Sequence, residues 1–171
     1  MAEQAEISEL FLAFSRERLQ LLASRIADCL GRLSEEQVWQ RGSEVENSVA
    51  NLVLHLCGNV RQWIISGVGG NPDIRQRDEE FARRDGVTTT ELRELLESTL
   101  AEAGSIIQNL PRHRLVEKIS VQGRNPSVLE AIYVVAEHFG EHAGQIILMT
   151  KQMTREDLGY HRHLSKQKAT R

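Results

Sequence analysis

The stretch SVLEAIYVVAEHFGEHAGQIILM, residues 127–149, carries the pattern that decides the fold. It begins with Ser127 and has Glu130 three residues later, which fits a helix capping box, and Pro126 suits a first helical turn. We therefore predict a long amphipathic helix that runs to about Met153. Apolar residues recur every three or four positions and form one face of this helix: Val128, Ile132, Val135, Phe139, Ala143 and Ile146.

Three more long helical patterns precede this one. The first runs from about residue 7 to 33, with apolar residues at helical spacing. The second begins near the capping residues at 47–48 and runs to about residue 66, where GVGGNP breaks it. The third follows Thr88, which pairs with Glu91 as a capping box, and runs to about Leu110.

Two connections carry structure of their own. PDIRQRDEEFARRDG, residues 72–86, predicts a short charged helix between the second and third long helices. LVEKISVQG, residues 115–123, alternates apolar and polar residues, which favours an extended segment. Four helices of similar length predict an all-α, antiparallel four-helix bundle. We expect one domain over residues 1–171, with its core at about 6–153 and a tail at 154–171.

Composition limits the classes of function. Hydrophobic residues are 40%, charged residues are 26% and the formal net charge is −3, values that fit a folded globular protein without an overall attraction for nucleic acid. No apolar run approaches the roughly 20 residues needed to cross a bilayer, and the acidic N-terminus does not resemble a signal peptide. Cys29 and Cys57 form no CxxC pair. We therefore expect a cytoplasmic protein with free thiols and no membrane partner.

Three histidines suggest a metal site. His138 and His142 share one face of the fourth predicted helix, roughly 90° from the centre of its apolar stripe. His55 lies on a similar polar flank of the second predicted helix. Imidazole is a common neutral ligand for Zn, Ni and Fe, and three protein ligands leave a coordination position open, as in catalytic sites. A surface histidine pair, or two hydrogen-bonded histidines, is the alternative interpretation.

Neutral amides near these histidines predict a pocket wall, with Asn59, Gln62 and Gln145 as its candidates. Glu141 would either support a histidine by hydrogen bonding or form a solvated ridge with Glu137.

Three arginines, at positions 61, 75 and 77, have side chains that can bind a carboxylate with two hydrogen bonds. A surface location is favoured for all three. Helical geometry points Arg61 away from His55.

Two sharper interpretations are disfavoured. His138-x-x-Glu141-His142 matches the motif of inverted zinc proteases, but few residues follow it to supply the further acidic ligand. Cys57 lies two residues after His55, so it points away from the imidazole and does not form a Cys–His dyad. His113 lies in a loop and has no evident partner in the sequence, whereas His161 and His163 in the tail could bind metal but are more often solvated.

The order of these motifs resembles a known family. SVANLVLHLCGNVRQWI, residues 48–64, followed by EHFGEHAGQIILM, residues 137–149, is similar to the DinB/YfiT-like superfamily of small four-helix-bundle proteins, over about residues 6–153. The resemblance implies an up-down-down-up topology, a triad of His55, His138 and His142, and one divalent ion. Zn or Ni would be preferred, with Fe or Mn as alternatives. The DIRQRDEEFARR segment resembles a subfamily of unknown function.

Characterised relatives in that superfamily are thiol-dependent enzymes, and many are homodimers. They include S-transferases that join bacillithiol or another low-molecular-weight thiol to electrophiles, and a mycothiol-dependent isomerase. Three hypotheses follow: a metal-dependent thiol S-transferase with a role in detoxification, a non-catalytic metal-binding or stress-associated dimer, and a metal-dependent hydrolase. All three use the same histidines, since a bound thiol loses its proton and a bound water becomes acidic.

Overall fold

Helices account for most of the chain in the computed structural model, which describes residues 2–162 and the side chains from residue 6 onward. Between α3 and α4 the helix continues in wider π-helical turns over Arg61–Val68, and a 3₁₀ turn covers Arg112–Val116. The α-helices of this part of the chain are α1 (Ala2–Leu30), α2 (Glu35–Trp39), α3 (Val49–Val60), α4 (Arg77–Ala82), α5 (Thr89–Gln108) and α6 (Val128–Thr154).

The predicted capping boxes are present at the starts of the long helices α5 and α6. The Thr88 hydroxyl accepts from the backbone N–H of Glu91 at the start of α5, and Ser127 accepts from Glu130 at the start of α6. Ser48 caps α3 in the same way. Each box satisfies backbone donors that the first helical turn leaves unpaired, so it fixes where the helix starts. Pro126 precedes the cap of α6 and does not lie in its first turn.

The four long helices pack around one apolar core. Both α1 and α3 pack against α5 and α6, so α1 and α3 lie on opposite sides of the bundle. The predicted apolar face of α6 is buried, with Ile132, Val135 and Phe139 fully inaccessible to solvent. The predicted all-α fold is therefore confirmed, while the up-down-down-up order of helix directions stays a prediction. No helix among residues 2–162 is long and apolar enough to span a bilayer.

The connections differ from the sequence prediction in detail. Helix α2 was not predicted, because its five residues are too short to show a period, although Ser34 and Gln37 form a capping box. The charged segment at 72–86 does contain a helix, α4. The segment at 115–123 starts in the 3₁₀ turn and then forms two isolated antiparallel bridges, Lys118–Ser127 and Val121–Arg124.

The first part of the predicted tail packs on the bundle. Leu158 is buried, and the Tyr160 hydroxyl donates to Asp28 Oδ2 at 2.8 Å. The prediction for residues 163–171, including His163, falls outside the described part of the chain.

Candidate metal centre

Three histidines from two helices converge at the side of the bundle core. His55 comes from α3, and His138 and His142 come from α6. One ring nitrogen of each lies within 4.8 Å of one ring nitrogen of the other two. The Nε2 atoms of His55 and His138 are 2.9 Å apart. The structure thus brings together the three residues that sequence reasoning selected.

Helix packing explains this convergence. Because α3 packs against α6, the polar flank of each helix lies beside the shared apolar core. His138 and His142 stand on adjacent turns of α6, with ring centroids 4.5 Å apart. His55 is 5% exposed, whereas the two α6 histidines are half-buried, so the cluster has a closed inner end and an open outer end.

A carboxylate holds the buried histidine. Glu80 of α4 is 9% exposed, and its Oε2 lies 3.0 Å from His55 Nδ1. An ionised carboxylate only accepts, so the ring proton lies on Nδ1 and is donated to Glu80 Oε2. Arg75 Nη2 lies 3.1 Å from the same nitrogen, but it donates to Glu80 Oε2 at 2.8 Å. This tautomer leaves the Nε2 lone pair of His55 directed at the other histidines.

Arg75 holds Glu80 in turn. Its Nε donates to Glu80 Oε1 at 2.7 Å and its Nη2 donates to Oε2 at 2.8 Å, while Nη1 donates to Gln62 Oε1 at 3.0 Å. The surface location favoured for Arg75 is wrong, since its side chain is 2% exposed. It does bind a carboxylate with two hydrogen bonds, but the carboxylate belongs to the chain itself. Sequence spacing missed this because the pair spans a connector rather than one helix.

The other two arginines lie at the surface, as predicted. Arg61 lies 3.4 Å from Glu102 on α5, and Arg77 is exposed at the start of α4.

The connector that carries Arg75 and Glu80 is docked on α3. Asn51 Nδ2 donates to the backbone carbonyls of Glu80 at 2.8 Å and Arg83 at 2.9 Å. At Gly58, a side chain would clash, because a Cβ there would lie 2.0 Å from Glu80 Oε1. Asn51 therefore attaches α4 to α3, and the missing side chain of Gly58 leaves room for the Glu80 carboxylate.

Burial and these contacts set the charge of the site. Burial lowers the pKa of His55, and it lowers the pKa of His138 to about 4 with help from the neighbouring imidazoles. Burial alone would raise the pKa of Glu80, but hydrogen bonds from Arg75 and His55 hold it below its usual value. At neutral pH the site therefore combines the neutral imidazoles of His55 and His138 with the ionised carboxylate of Glu80, and a neutral imidazole is the form that binds a metal.

A cavity of about 290 Å³ adjoins the histidines. Two of the predicted pocket residues, Asn59 and Glu141, line this cavity. Gln62 does not line it, but it accepts a hydrogen bond from the cavity residue Arg75. The fourth, Gln145, contacts His142, with its Oε1 2.8 Å from Nδ1. The full lining is His55, Asn59, Trp63, Arg75, Arg77, Gln122, Arg124, Val134, Glu137, His138 and Glu141.

Glu141 plays a smaller part than Glu80. Its Oε2 is 3.8 Å from His138 Nδ1, and its side chain is 66% exposed. Glu80 was not predicted, because it lies among the acidic residues Asp78 and Glu79 on a helix that looks solvated. The neighbouring Phe81 is the one sequence signal that this charged helix packs against something.

The disfavoured Cys–His dyad is absent from the structure. Cys57 is buried, and burial raises the pKa of its thiol to about 12, so it is not a nucleophile at neutral pH.

The donor set fits a divalent ion of the Zn or Ni type. Three neutral imidazoles suit such ions, and the separation of the nitrogens allows all three to bind one centre after small side-chain movements. His142 Nδ1 faces an amide oxygen and His55 Nδ1 faces a carboxylate. Both rings are therefore oriented to offer Nε2, which is the usual arrangement around a metal-binding histidine.

Solved structures share this fold. The DinB-like protein YjoA from Bacillus subtilis aligns with a TM-score of 0.67 at 16% identity, covering 86% of this chain and 96% of that one. A conserved protein from Enterococcus faecalis gives a TM-score of 0.67 at 15% identity, with coverage of 81% and 94%. The mycothiol-dependent maleylpyruvate isomerase gives 0.63 at 17% identity, with coverage of 79% and 60%, so this chain spans only part of it.

Sequence comparison places the chain more narrowly. No curated protein matches it. A family model described as "Protein of unknown function (DUF1572)" matches residues 6–166, nearly the whole chain. The chain therefore belongs to the DUF1572 family, whose function is unknown, and it shares the fold of the DinB-like proteins named above.

Proposed function

We propose that this protein is a divalent-metal-dependent enzyme that joins a low-molecular-weight thiol to a small electrophile. The observation that carries the proposal is the convergence of His55, His138 and His142, with ring nitrogens within 4.8 Å, beside a cavity of about 290 Å³. A cluster with three ligands and an adjoining cavity suits chemistry, because a purely structural zinc site is normally closed by four protein ligands.

Zn or Ni is the preferred ion, with Fe or Mn as alternatives, because all three ligands are imidazole nitrogens. When bound, such an ion would supply a positive centre that favours the thiolate form of a thiol at neutral pH. A fold neighbour named as a mycothiol-dependent isomerase motivates the choice of a thiol as cosubstrate.

The residues of the chain have distinct parts in this proposal. His55 keeps its Nε2 lone pair available because its Nδ1–H donates a hydrogen bond to Glu80 Oε2. The Gln145 amide oxygen does the same for His142. Trp63 and Val134 provide apolar wall for the electrophile, and Asn59 adds a neutral hydrogen-bonding group.

The proposal includes a cytoplasmic homodimer. Cys29 and Cys57 are both free and buried, which suits a reducing compartment. Three apolar side chains of α1, Ile7, Leu10 and Phe14, are 61%, 64% and 68% exposed and lie at helical spacing on one face. A second copy covering this face would remove them from water, and light scattering on the purified protein tests for it.

The deciding experiment measures metal content in the purified, untagged protein beside two variants. We expect one equivalent of Zn, Ni, Fe or Mn in the wild type and none in His55→Ala. The matched control is His113→Ala, which removes an exposed histidine of the 3₁₀ turn and should keep the metal. No metal in the wild type after reconstitution would overturn the proposal.

Activity assays then separate the functional classes. We expect the wild type to consume a bromo- or chloro-substituted electrophile only when a thiol is present. The His55→Ala variant should not consume it. Hydrolysis of esters or amides without any thiol would point to a metal-dependent hydrolase. Bound metal with neither activity would point to the non-catalytic, stress-associated dimer.

A further inference from the structure

Two arginines in the wall of the histidine cavity have no carboxylate partner. Arg77 and Arg124 both line it, and neither side chain makes an ion pair or hydrogen bond within residues 6–162. Most other arginines of this region are satisfied, as Arg61 is by Glu102 and Arg114 is by Glu117. Arg75, also in the cavity wall, is neutralised by Glu80. Arg77 and Arg124 therefore each place a positive charge without a carboxylate partner in the cavity wall.

Arg77 is held near the histidines by stacking. Its guanidinium carbon lies 5.0 Å from the centroid of the Phe81 ring, and the Phe81 ring lies 4.6 Å from the ring of His55. One aromatic ring thus separates the guanidinium from the candidate metal ligand. Stacking covers one face of the guanidinium and leaves the N–H groups on its edge available for a carboxylate.

A tight turn sets the backbone position of Arg124. Positive φ angles of 51° at Gln122 and 70° at Gly123, with the Arg124 N–H bonded to the Val121 carbonyl at 2.9 Å, describe a type I′ hairpin. A non-glycine residue such as Gln122 adopts this backbone conformation only with support. That support comes from Gln122 Nε2, which donates to Gln62 Oε1 at 2.5 Å.

A buried tryptophan also lines the cavity. Trp63 is 3% exposed, and its indole Nε1–H is closed to solvent and has no acceptor within the described part of the chain. Trp63 therefore contributes an apolar surface to the cavity wall, and the two arginines are the groups that point to an anionic ligand.

We propose that the substrate occupying this cavity carries a carboxylate, which binds Arg77 and Arg124 while the other end of the molecule reaches the histidine cluster. This inference rests on the proposed function and names its substrate class. The cavity volume of about 290 Å³ suits a small molecule. Glu137 and Glu141 also line the cavity and would repel a doubly charged phosphate more than a singly charged carboxylate.

The test uses protein loaded with Co²⁺, whose visible spectrum reports thiolate binding. Two probes are titrated, 3-mercaptopropionate and its methyl ester, which share the thiol and the carbon chain while the ester lacks the carboxylate charge. The proteins are the wild type, Arg77→Gln, Arg124→Gln and the control Arg18→Gln, which removes the same charge from the exposed surface of α1. We expect each cavity variant to reduce the preference for the acid over the ester by about tenfold, the scale of one charge-assisted contact.

The control should keep the wild-type preference, and binding of the ester should be nearly unchanged in all four proteins. If both probes bind the metal and the acid-to-ester preference is the same in every protein, the carboxylate site is excluded while the proposed function stands. If neither probe changes the cobalt spectrum, the thiol step of the proposed function fails instead. Calorimetry with glutarate then tests the carboxylate site on its own. Glutarate binding that is lost in Arg124→Gln supports the site, and the absence of glutarate binding to the wild type overturns it.

Discussion

His55 Nδ1 lies 3.0 Å from Glu80 Oε2, and this contact joins the buried histidine of α3 to the short helix α4. The carboxylate is held by two hydrogen bonds from Arg75 and sits where Gly58 leaves space for it. The geometry of the histidine cluster therefore depends on a connector that contributes no metal-binding side chain of its own. The first two predictions test this dependence.

Glu80→Gln should weaken metal binding by about 10- to 100-fold, the usual effect of removing the partner of a metal-binding histidine. The glutamine keeps the size of the side chain but loses the charge that fixes the Nδ1 proton of His55. Competition with a chromophoric chelator measures the affinity. The control is Glu141→Gln, whose parent side chain is 66% exposed and 3.8 Å from His138. Equal affinities for the two variants would contradict the role given to Glu80.

Gly58→Ala should destabilise the protein by about 1–3 kcal/mol, the range for overpacking a filled site. An alanine in the middle of a helix normally stabilises it by about 0.5–1 kcal/mol relative to glycine. Here the added Cβ would meet Glu80 Oε1 at 2.0 Å and Arg75 Nε at 3.0 Å.

The matched control for this variant is Gly144→Ala on α6, where a Cβ would meet nothing within 4 Å. It should follow the normal helical trend and gain stability. Urea unfolding measures the free energy of unfolding of both variants. If Gly58→Ala is as stable as Gly144→Ala, the segment that carries Arg75 and Glu80 can move away from α3 without loss of stability.

The metal-free protein should lose stability as the pH falls from about 6.5 toward 4. The pKa of His138 is lowered to about 4 by burial and by its imidazole neighbours, whereas an unfolded histidine has a pKa of about 6.5. The unfolded chain therefore binds more protons in this window, so the stabilising contribution is complete above pH 6.5 and is lost on acidification.

Urea midpoints of the metal-free protein at pH 7, 6 and 5 measure this loss. His138→Gln should reduce the pH dependence without removing it, because burial also lowers the pKa of His55. His113→Gln should leave the dependence unchanged. A wild-type midpoint that stays constant from pH 7 to 5 would contradict the prediction.

Cys57 should not react with a thiol reagent such as DTNB in the folded protein. Its side chain is buried, and burial raises its thiol pKa to about 12, so almost no thiolate is present at neutral pH. Both cysteines should become reactive after unfolding in denaturant, since Cys29 is buried as well. Cys57→Ala should keep the full metal content. Rapid labelling of native Cys57, or metal loss in the variant, would instead indicate a chemical role for this thiol.

The helices and the histidine cluster were predictable because each depends on local repetition. A 3.6-residue period places His138 beside His142 and sets His55 on a comparable flank of another helix, and capping boxes mark where helices begin. These signals lie within one helix at a time. The three histidines then come together if the two helices pack side by side, and the apolar stripes of the helices predict that packing.

The support of the cluster was not predictable in the same way. Glu80 is 25 positions from His55 in sequence, and it stands beside Asp78 and Glu79, which look equivalent to it. What distinguishes it is the path of the connector across α3, and that path depends on the hydrogen bonds of Asn51 to two backbone carbonyls. Arg75 was placed at the surface for the same reason, since an arginine in a polar segment is usually exposed.

The docking of the connector on α3 has a reciprocal consequence. If the docked connector tightens metal binding through Glu80, thermodynamic linkage requires the metal to tighten docking by the same factor. Loss of the ion would then favour release of α4 from α3, and with it the Arg77 side of the cavity. Proteases would therefore cut the metal-free protein more readily at α4, because locally released segments are preferred cleavage sites.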